Sequence, residues 1–169
     1  ENPANASVYA QCGTIDSIES CTFINSGGNG AIYITSDASI GTIKDCIFNE
    51  GIRNAICLNA GVASKNPVIE TIDGCTINCS YRAILGVGNA FLRANIGTIE
   101  NTSITASNSA VWGVRYIATI DDCNIEVTDD HETSQGATAS KILQTTLGIG
   151  KITGDTSVKG KLAIPIYAS

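Results

Sequence analysis

The sequence predicts an all-β protein, a right-handed parallel β-helix (solenoid) of about six coils, on three observations. First, hydrophobic residues make up 43% of the 169 residues and charged residues only 15%. Ile, Thr, Asn, Gly and Ala dominate, which favours strands over helices. Second, one apolar pattern recurs along the chain at a spacing of 21 to 32 residues. Third, a different apolar pattern follows most copies of the first, about 15 residues after each start.

The first repeat reads Ile-x-x-Ile-x-x-Cys-x-apolar, with Thr in place of Cys in one copy. Its copies begin 25, 29, 27, 21 and 32 residues apart, so the length varies while the core pattern does not. Insertions are therefore expected in loops between strands. The sixth copy is degraded and reaches Val158 only if one residue is inserted, as expected of a terminal repeat. The copies start at Ile15, Ile40, Ile69, Ile96, Ile117 and Ile149.

The second repeat reads Ala-apolar-x-apolar. Clear copies begin at Ala31, Ala55 and Ala163, and copies with an extra Gly begin at Ala83 and Ala110. Each coil is therefore expected to hold at least two short strands. Stacked about 4.8 Å apart, equivalent strands pair their backbone groups with the coils above and below. Leucine-rich repeats would show Leu at fixed short spacing, and a β-sandwich would not repeat one pattern, so both are disfavoured.

These two patterns resemble the repeats of right-handed parallel β-helix proteins of the pectate-lyase-like type, which occur in bacterial surface, secreted and carbohydrate-active proteins. The resemblance covers nearly the whole chain. It implies an extracellular or cell-surface location, and it specifies the fold far better than the function.

One domain is expected over residues 1–169, with the longest insertion at 129–140. The chain contains no Met, and we expect no amphipathic capping helix before Val8 or after Ile166. Uncapped coils expose strand edges. We therefore expect a fragment of a longer protein, or ends covered by partners, including end-to-end self-association.

Charge and hydropathy exclude some partners. The net charge is -6 and the pI about 4.6, whereas nucleic-acid readers need clustered Lys and Arg. No apolar run approaches the roughly 20 residues that span a bilayer. We expect neither nucleic acid nor a membrane span, and a glycan or a host or surface protein as the partner.

The cysteines follow the repeat. Four of the seven occupy the same position in successive copies, with Thr102 in the gap, so we expect an inward ladder of reduced thiols. Cys12, Cys57 and Cys79 lie off this ladder in no pattern of metal-ligand spacing, and the sequence does not fix their redox state. The ladder members are Cys21, Cys46, Cys75 and Cys123.

A row of acidic residues offers the candidate catalytic chemistry. The resemblance implies that acidic residues of neighbouring coils, on an outward sheet face, hold Ca²⁺ or act as acid and base. Asp73, Glu100 and Asp121 occupy equivalent positions in three consecutive copies, and Asp122 follows the last of them. Equivalent residues lie about 5 Å apart in a solenoid, so the first three are the candidate Ca²⁺ ligands. The alternative, which we favour, is a solvated corner that holds no cofactor.

A second row offers a candidate binding surface. In the Ala-apolar-x-apolar segments, the x position is expected to point away from the core. Aromatic residues on a flat β face anchor sugars or protein partners, which makes Tyr33 and Trp112 the candidate binding residues. The Gly after Leu85 and after Trp112 suggests instead a bulge that turns these side chains into the core. The expected row is Tyr33, Cys57, Leu85, Trp112 and Pro165.

Two functions follow from these expectations. The favoured one is a non-catalytic β-helical module of a bacterial surface or secreted protein, acting as a spacer or as an adhesive surface for glycan or protein. The alternative is a fragment of a polysaccharide lyase or glycoside hydrolase, with Asp73, Glu100, Asp121 and Asp122 as its catalytic residues. His131, the sole histidine, lies in the 129–140 insertion and is expected to be a surface residue.

Overall fold

The computed structural model describes residues 6–24, 30–49, 51–61, 65–128, 141–160 and 164–168. Within these ranges the protein is all-β apart from one short helix, α1 (Ala90–Arg93). Every strand pairing is parallel. The predicted all-β class with parallel sheets is therefore confirmed. The 129–140 insertion and His131 lie outside the described residues.

The Ile-x-x-Ile segments form one set of strands, here called the Ile strands. Successive copies pair in register, so that Ile40 lies opposite Ile69 and Ile69 opposite Ile96. Both isoleucines of each internal copy are buried, because β-branched side chains pack well on a pleated inner face. The Ile strands are β2 (Thr14–Glu19), β5 (Ser39–Lys44), β8 (Val68–Asp73), β11 (Asn95–Glu100) and the second halves of β13 (Ser109–Asp121) and β15 (Lys141–Thr153).

The Ala-apolar-x-apolar segments form a second set, the Ala strands, which also stack in register. The Ala and Ile sets belong to one 11-stranded sheet because β13 and β15 each contribute to both. The copies at Ile96 and Ile117 are only 21 residues apart, which leaves no room for a loop before the second half of β13. The Ala strands are β1 (Val8–Ala10), β4 (Ile32–Thr35), β7 (Asn54–Asn59), β10 (Arg82–Val87), the first halves of β13 and β15, and β17 (Ile164–Ala168).

Short strands after the Cys positions form a separate six-stranded sheet. In its last strand Val158 pairs with Ile125, and the N–H of Cys123 donates to Oγ1 of Thr156 at 3.2 Å. Thr156 thus takes the ladder position, which confirms the sixth copy and its one-residue insertion. The strands are β3 (Thr22–Phe23), β6 (Ile47–Phe48), β9 (Thr76–Cys79), β12 (Ser103–Ala106), β14 (Asn124–Val127) and β16 (Ser157–Gly160).

The cysteine ladder lies inside, as predicted. Cys46, Cys75 and Cys123 are buried, Cys21 in the first copy is half-buried, and all four are free thiols. The Sγ of Cys123 donates to the carbonyl oxygen of Ile99 in the preceding repeat at 3.4 Å. Burial raises the pKa of the Cys75 thiol to about 11, so this thiol stays protonated at neutral pH.

A sharp turn separates each Ile strand from the strand that follows it. The central residue of each of these turns has φ between 47° and 63°. Gly, Asn and Asp adopt this left-handed conformation at the least cost. The identity of this residue is therefore constrained by the backbone. The turn residues are Ser20, Asp45, Gly74, Asn101, Asp122 and Gly154.

Candidate functional site

The three candidate acids line up as predicted. Asp73 pairs with Glu100 and Glu100 with Asp121 at the ends of three adjacent Ile strands. Asp122 is a turn residue with φ of 47°. Its Oδ1 accepts the N–H of Asp155 at 2.8 Å, so this carboxylate stabilises the corner of the next repeat.

Asp73 is already engaged by two neighbours. Its Oδ1 accepts a hydrogen bond from Nδ2 of Asn101 at 2.9 Å, and its Oδ2 lies 3.1 Å from Nζ of Lys44. The Asn101 hydrogen bond and then Lys44 hold the pKa of Asp73 below its usual value. An ionised carboxylate whose charge is balanced by Lys44 is a poor general acid and must give up this partner to bind a cation.

Within the described ranges, no group of three or more His, Cys, Asp or Glu side chains has an arrangement that could hold a metal ion. The structure therefore brings Asp73, Glu100 and Asp121 into one row without assembling them into a metal centre. A Ca²⁺ site at this row stays a prediction.

The aromatic row begins one strand earlier than predicted. Tyr9 pairs with Tyr33, and the two ring centroids are 5.8 Å apart with the planes tilted by 30°. Tyr9 is 38% exposed. Sequence reasoning missed it because β1 lacks the Ala of the pattern. Its position before the following Ile-x-x-Ile segment could have revealed it. Tyr9 precedes Ile15 by six residues, and Tyr33 precedes Ile40 by seven.

The row is not a continuous exposed stripe. Tyr33, Leu85 and Trp112 are half-buried, but Cys57 between them is only 1% exposed. Burial raises the pKa of the Cys57 thiol to about 12. The predicted apolar stripe is therefore wrong at Cys57: this residue shares the register of Tyr33 and Leu85 and lies outside the core cluster, but other residues cover it.

The inclusion of Pro165 in this row is also wrong. Val111, the residue before Trp112, pairs with Leu143, and Leu143 pairs with Ile166. Pro165 precedes Ile166 and therefore cannot share the register of Trp112. Ile166 is equivalent to the first apolar residue of the motif, Val111, and not to the second.

Trp112 lies in an arginine–aromatic cluster that sequence reasoning missed. The guanidinium carbon of Arg82 lies 4.5 Å from the ring centroid of Tyr81 and 4.3 Å from that of Trp112. Its Nε donates to Oδ1 of Asn108 at 3.1 Å. The guanidinium carbon of Arg53 lies 5.1 Å from the Tyr81 centroid. Contacts of this length are favourable cation–π interactions.

The cluster forms because the Ala strands stack in register. Arg82 pairs with Asn54 and with Ser109, so the residues before them, Arg53, Tyr81 and Asn108, come from three adjacent repeats. These residues are 28 and 27 positions apart in the sequence. Each lies two positions before the Ala of its Ala-apolar-x-apolar copy, and this equivalence was the signal that they meet. Burial is the main cause that lowers the pKa of Arg82, and the positive charge of Arg53 lowers it further.

A cleft of about 400 Å³ is lined in part by residues that neighbour this cluster in the sequence. Ser80 precedes Tyr81, and Ser107 precedes Asn108. The lining side chains carry hydroxyl, amide or thiol groups and no charge. They are Asn78, Cys79, Ser80, Thr105, Ser107 and Thr128.

Comparison with known proteins gives no relative: no family model, curated protein or solved structure matches the chain. Among the described residues, none of the helices has the length and apolar character needed to cross a bilayer.

Proposed function

We propose that this chain is a right-handed parallel β-helix module of a bacterial surface or secreted protein, where it serves as a spacer or as a binding surface for glycan or protein. The repeating order of Ile strand, short strand and Ala strand supports a solenoid of about six coils. The right-handed sense follows from the general rule that connections between parallel strands of one sheet are right-handed in about 98% of cases.

The observation that carries the binding function is the half-exposed indole of Trp112 within a cluster of aromatic and polar side chains. A flat aromatic ring beside hydrogen-bonding groups suits a sugar ring, which has apolar faces and polar edges. Tyr9 and Tyr33 offer a second aromatic pair on the same set of strands.

The enzyme alternative has less support. Glycoside hydrolysis requires two carboxyl groups facing each other across a substrate, one of them protonated. Asp73 is instead held ionised by Asn101 and Lys44, and Asp122 supports a turn. A non-catalytic role is therefore the better proposal.

A glycan-array screen of the purified chain, with and without Ca²⁺, tests this proposal. Selective binding by the wild type, lost in Trp112→Ala, supports a carbohydrate-binding surface around the indole. Leu92→Ala is the matched control, because Leu92 is an exposed apolar residue of α1 outside the cluster. An array without any signal would contradict glycan binding, and release of products from a polymer would favour the enzyme.

A further inference from the structure

The guanidinium groups of Arg53 and Arg82 both contact the ring of Tyr81, yet neither has an acidic partner within the described ranges. The ion pairs described there involve Lys44 with Asp73 and Lys65 with Asp37. Arg82 uses Nε to bind Asn108, and no acceptor within the described ranges binds its two terminal nitrogens. Arg53 is exposed, and its guanidinium carbon lies 5.1 Å from the Tyr81 ring centroid.

Two positive charges meet at the ring of Tyr81, which attracts each of them but neutralises neither. Arg82 is partly desolvated between two aromatic rings, and the neighbouring charge of Arg53 repels it. Acidic side chains outnumber basic ones by 16 to 10 in this chain, so two arginines together without a carboxylate are conspicuous. An anion in contact with both guanidinium groups would offset the repulsion and accept hydrogen bonds from them.

The surroundings indicate what carries the anion. The cleft beside Tyr81 and Asn108 is lined by the hydroxyls and amide of Ser80, Ser107, Thr105 and Asn78. The hydroxyls of Ser80 and Ser107 donate to backbone carbonyls and so face the cleft as acceptors. Small neutral groups of this kind match the hydroxyl groups of a sugar, whereas a peptide partner would require pockets for larger side chains.

We propose that Arg53 and Arg82 bind the oxyanion group, a carboxylate or a sulfate ester, of a saccharide whose sugar ring occupies the adjacent cleft. This inference rests on the proposed glycan-binding function and assigns it a ligand class. Arginine is suited to the role because its planar donors bind carboxylates and sulfates in pairs.

Three polymers with one backbone test the inference: dextran, carboxymethyl dextran and dextran sulfate. Immobilised wild-type chain is expected to bind one or both anionic polymers and to ignore dextran, and the comparison of the two identifies the oxyanion. Arg53→Gln should weaken that binding about tenfold or more, since a charge-assisted hydrogen bond is lost. Arg82→Lys should weaken it too, because the ammonium group cannot reproduce the planar donor pair.

Arg115→Gln is the matched control, since it removes one positive charge outside the cluster. Equal losses in Arg53→Gln and Arg115→Gln would show general charge attraction and overturn the inference, as would equally tight binding of poly-glutamate. Wild-type binding of neutral glycans that Arg53→Gln leaves unchanged would reject the oxyanion site while keeping the proposed function. No binding to any polymer or to the glycan array would reject both.

Discussion

The Cα of Gly97 lies so close to the backbone carbonyl oxygen of Glu70 in the preceding repeat that a methyl group there would overlap this oxygen. The same relationship holds between Gly41 and the carbonyl of Asp16. Two inward isoleucines three positions apart depart from the period of two of a flat strand, so the backbone must deviate between them. Gly in alternate repeats makes room for this deviation.

Gly97→Ala is therefore expected to lower the free energy of unfolding by about 2 kcal/mol, because the added methyl must displace backbone rather than a flexible side chain. Urea denaturation monitored by circular dichroism measures the effect. Gly61→Ala is the control, since the nearest described atom to its added Cβ is Oδ1 of Asn59 at 3.9 Å, and it should change stability by less than about 0.5 kcal/mol. Equal effects would contradict the close approach at Gly97.

Thr102 fills the gap in the cysteine ladder through two hydrogen bonds. Its Oγ1 accepts the N–H of Cys75 at 3.3 Å and donates to the carbonyl of Glu100 at 2.7 Å. Thr102→Val keeps the shape but leaves a buried N–H without its partner, which should cost about 1 to 3 kcal/mol. Thermal unfolding of Thr102→Val measures this loss. Thr98→Val is the control, because Thr98 occupies a half-exposed position on an Ile strand. A larger loss in Thr98→Val would refute the role of Thr102.

The Asp73 carboxylate should contribute stability that depends on pH. Its pKa in the folded protein is lowered from 3.8 by Asn101 and Lys44. The stabilisation by this carboxylate is therefore present at pH values above 3.8 and is lost as the pH falls through the lower pKa of the folded protein. Asp73→Asn should reduce stability at pH 7 by at most about 1 kcal/mol, since the pair is partly exposed.

Urea titrations of the wild type and Asp73→Asn at pH 7 and at pH values below 3.8 measure this dependence. The difference between the two proteins should shrink steadily as the pH falls. Adding Lys44→Met to both should diminish the difference at pH 7. A difference that grows with acidity would show that the sign is wrong.

The thiols should differ sharply in reactivity. Cys12 is exposed, whereas Cys57 and Cys79 are buried and burial raises the pKa of each thiol to about 12. Because the thiolate is the reactive species, Ellman's reagent at pH 8 should label Cys12 quickly and Cys57 and Cys79 only after unfolding. Cys12→Ser should remove the fastest-reacting thiol and leave only the slower labelling of the half-buried Cys21 before unfolding. Fast labelling that persists in Cys12→Ser, mapped to Cys57, would contradict the buried position of that residue.

The sequence by itself determined the stacking pattern. Ile40, Ile69 and Ile96 align as the repeat predicts, Thr102 occupies the ladder position, and Asp73, Glu100 and Asp121 form a row. Each of these follows from one local rule, since equivalent positions of a repeat occupy equivalent positions in stacked parallel strands. Loop length does not disturb this rule, because inserted residues leave the strand register unchanged.

Only the tertiary structure decided what surrounds each position. The burial of Cys57, the register of Pro165 and the meeting of Arg53, Tyr81, Arg82 and Trp112 depend on how loops of different length and long side chains pack across neighbouring repeats. A periodic pattern records the direction of a side chain from the strand. It does not record what the next repeat places against that side chain, because this packing depends on residues more than 25 positions away.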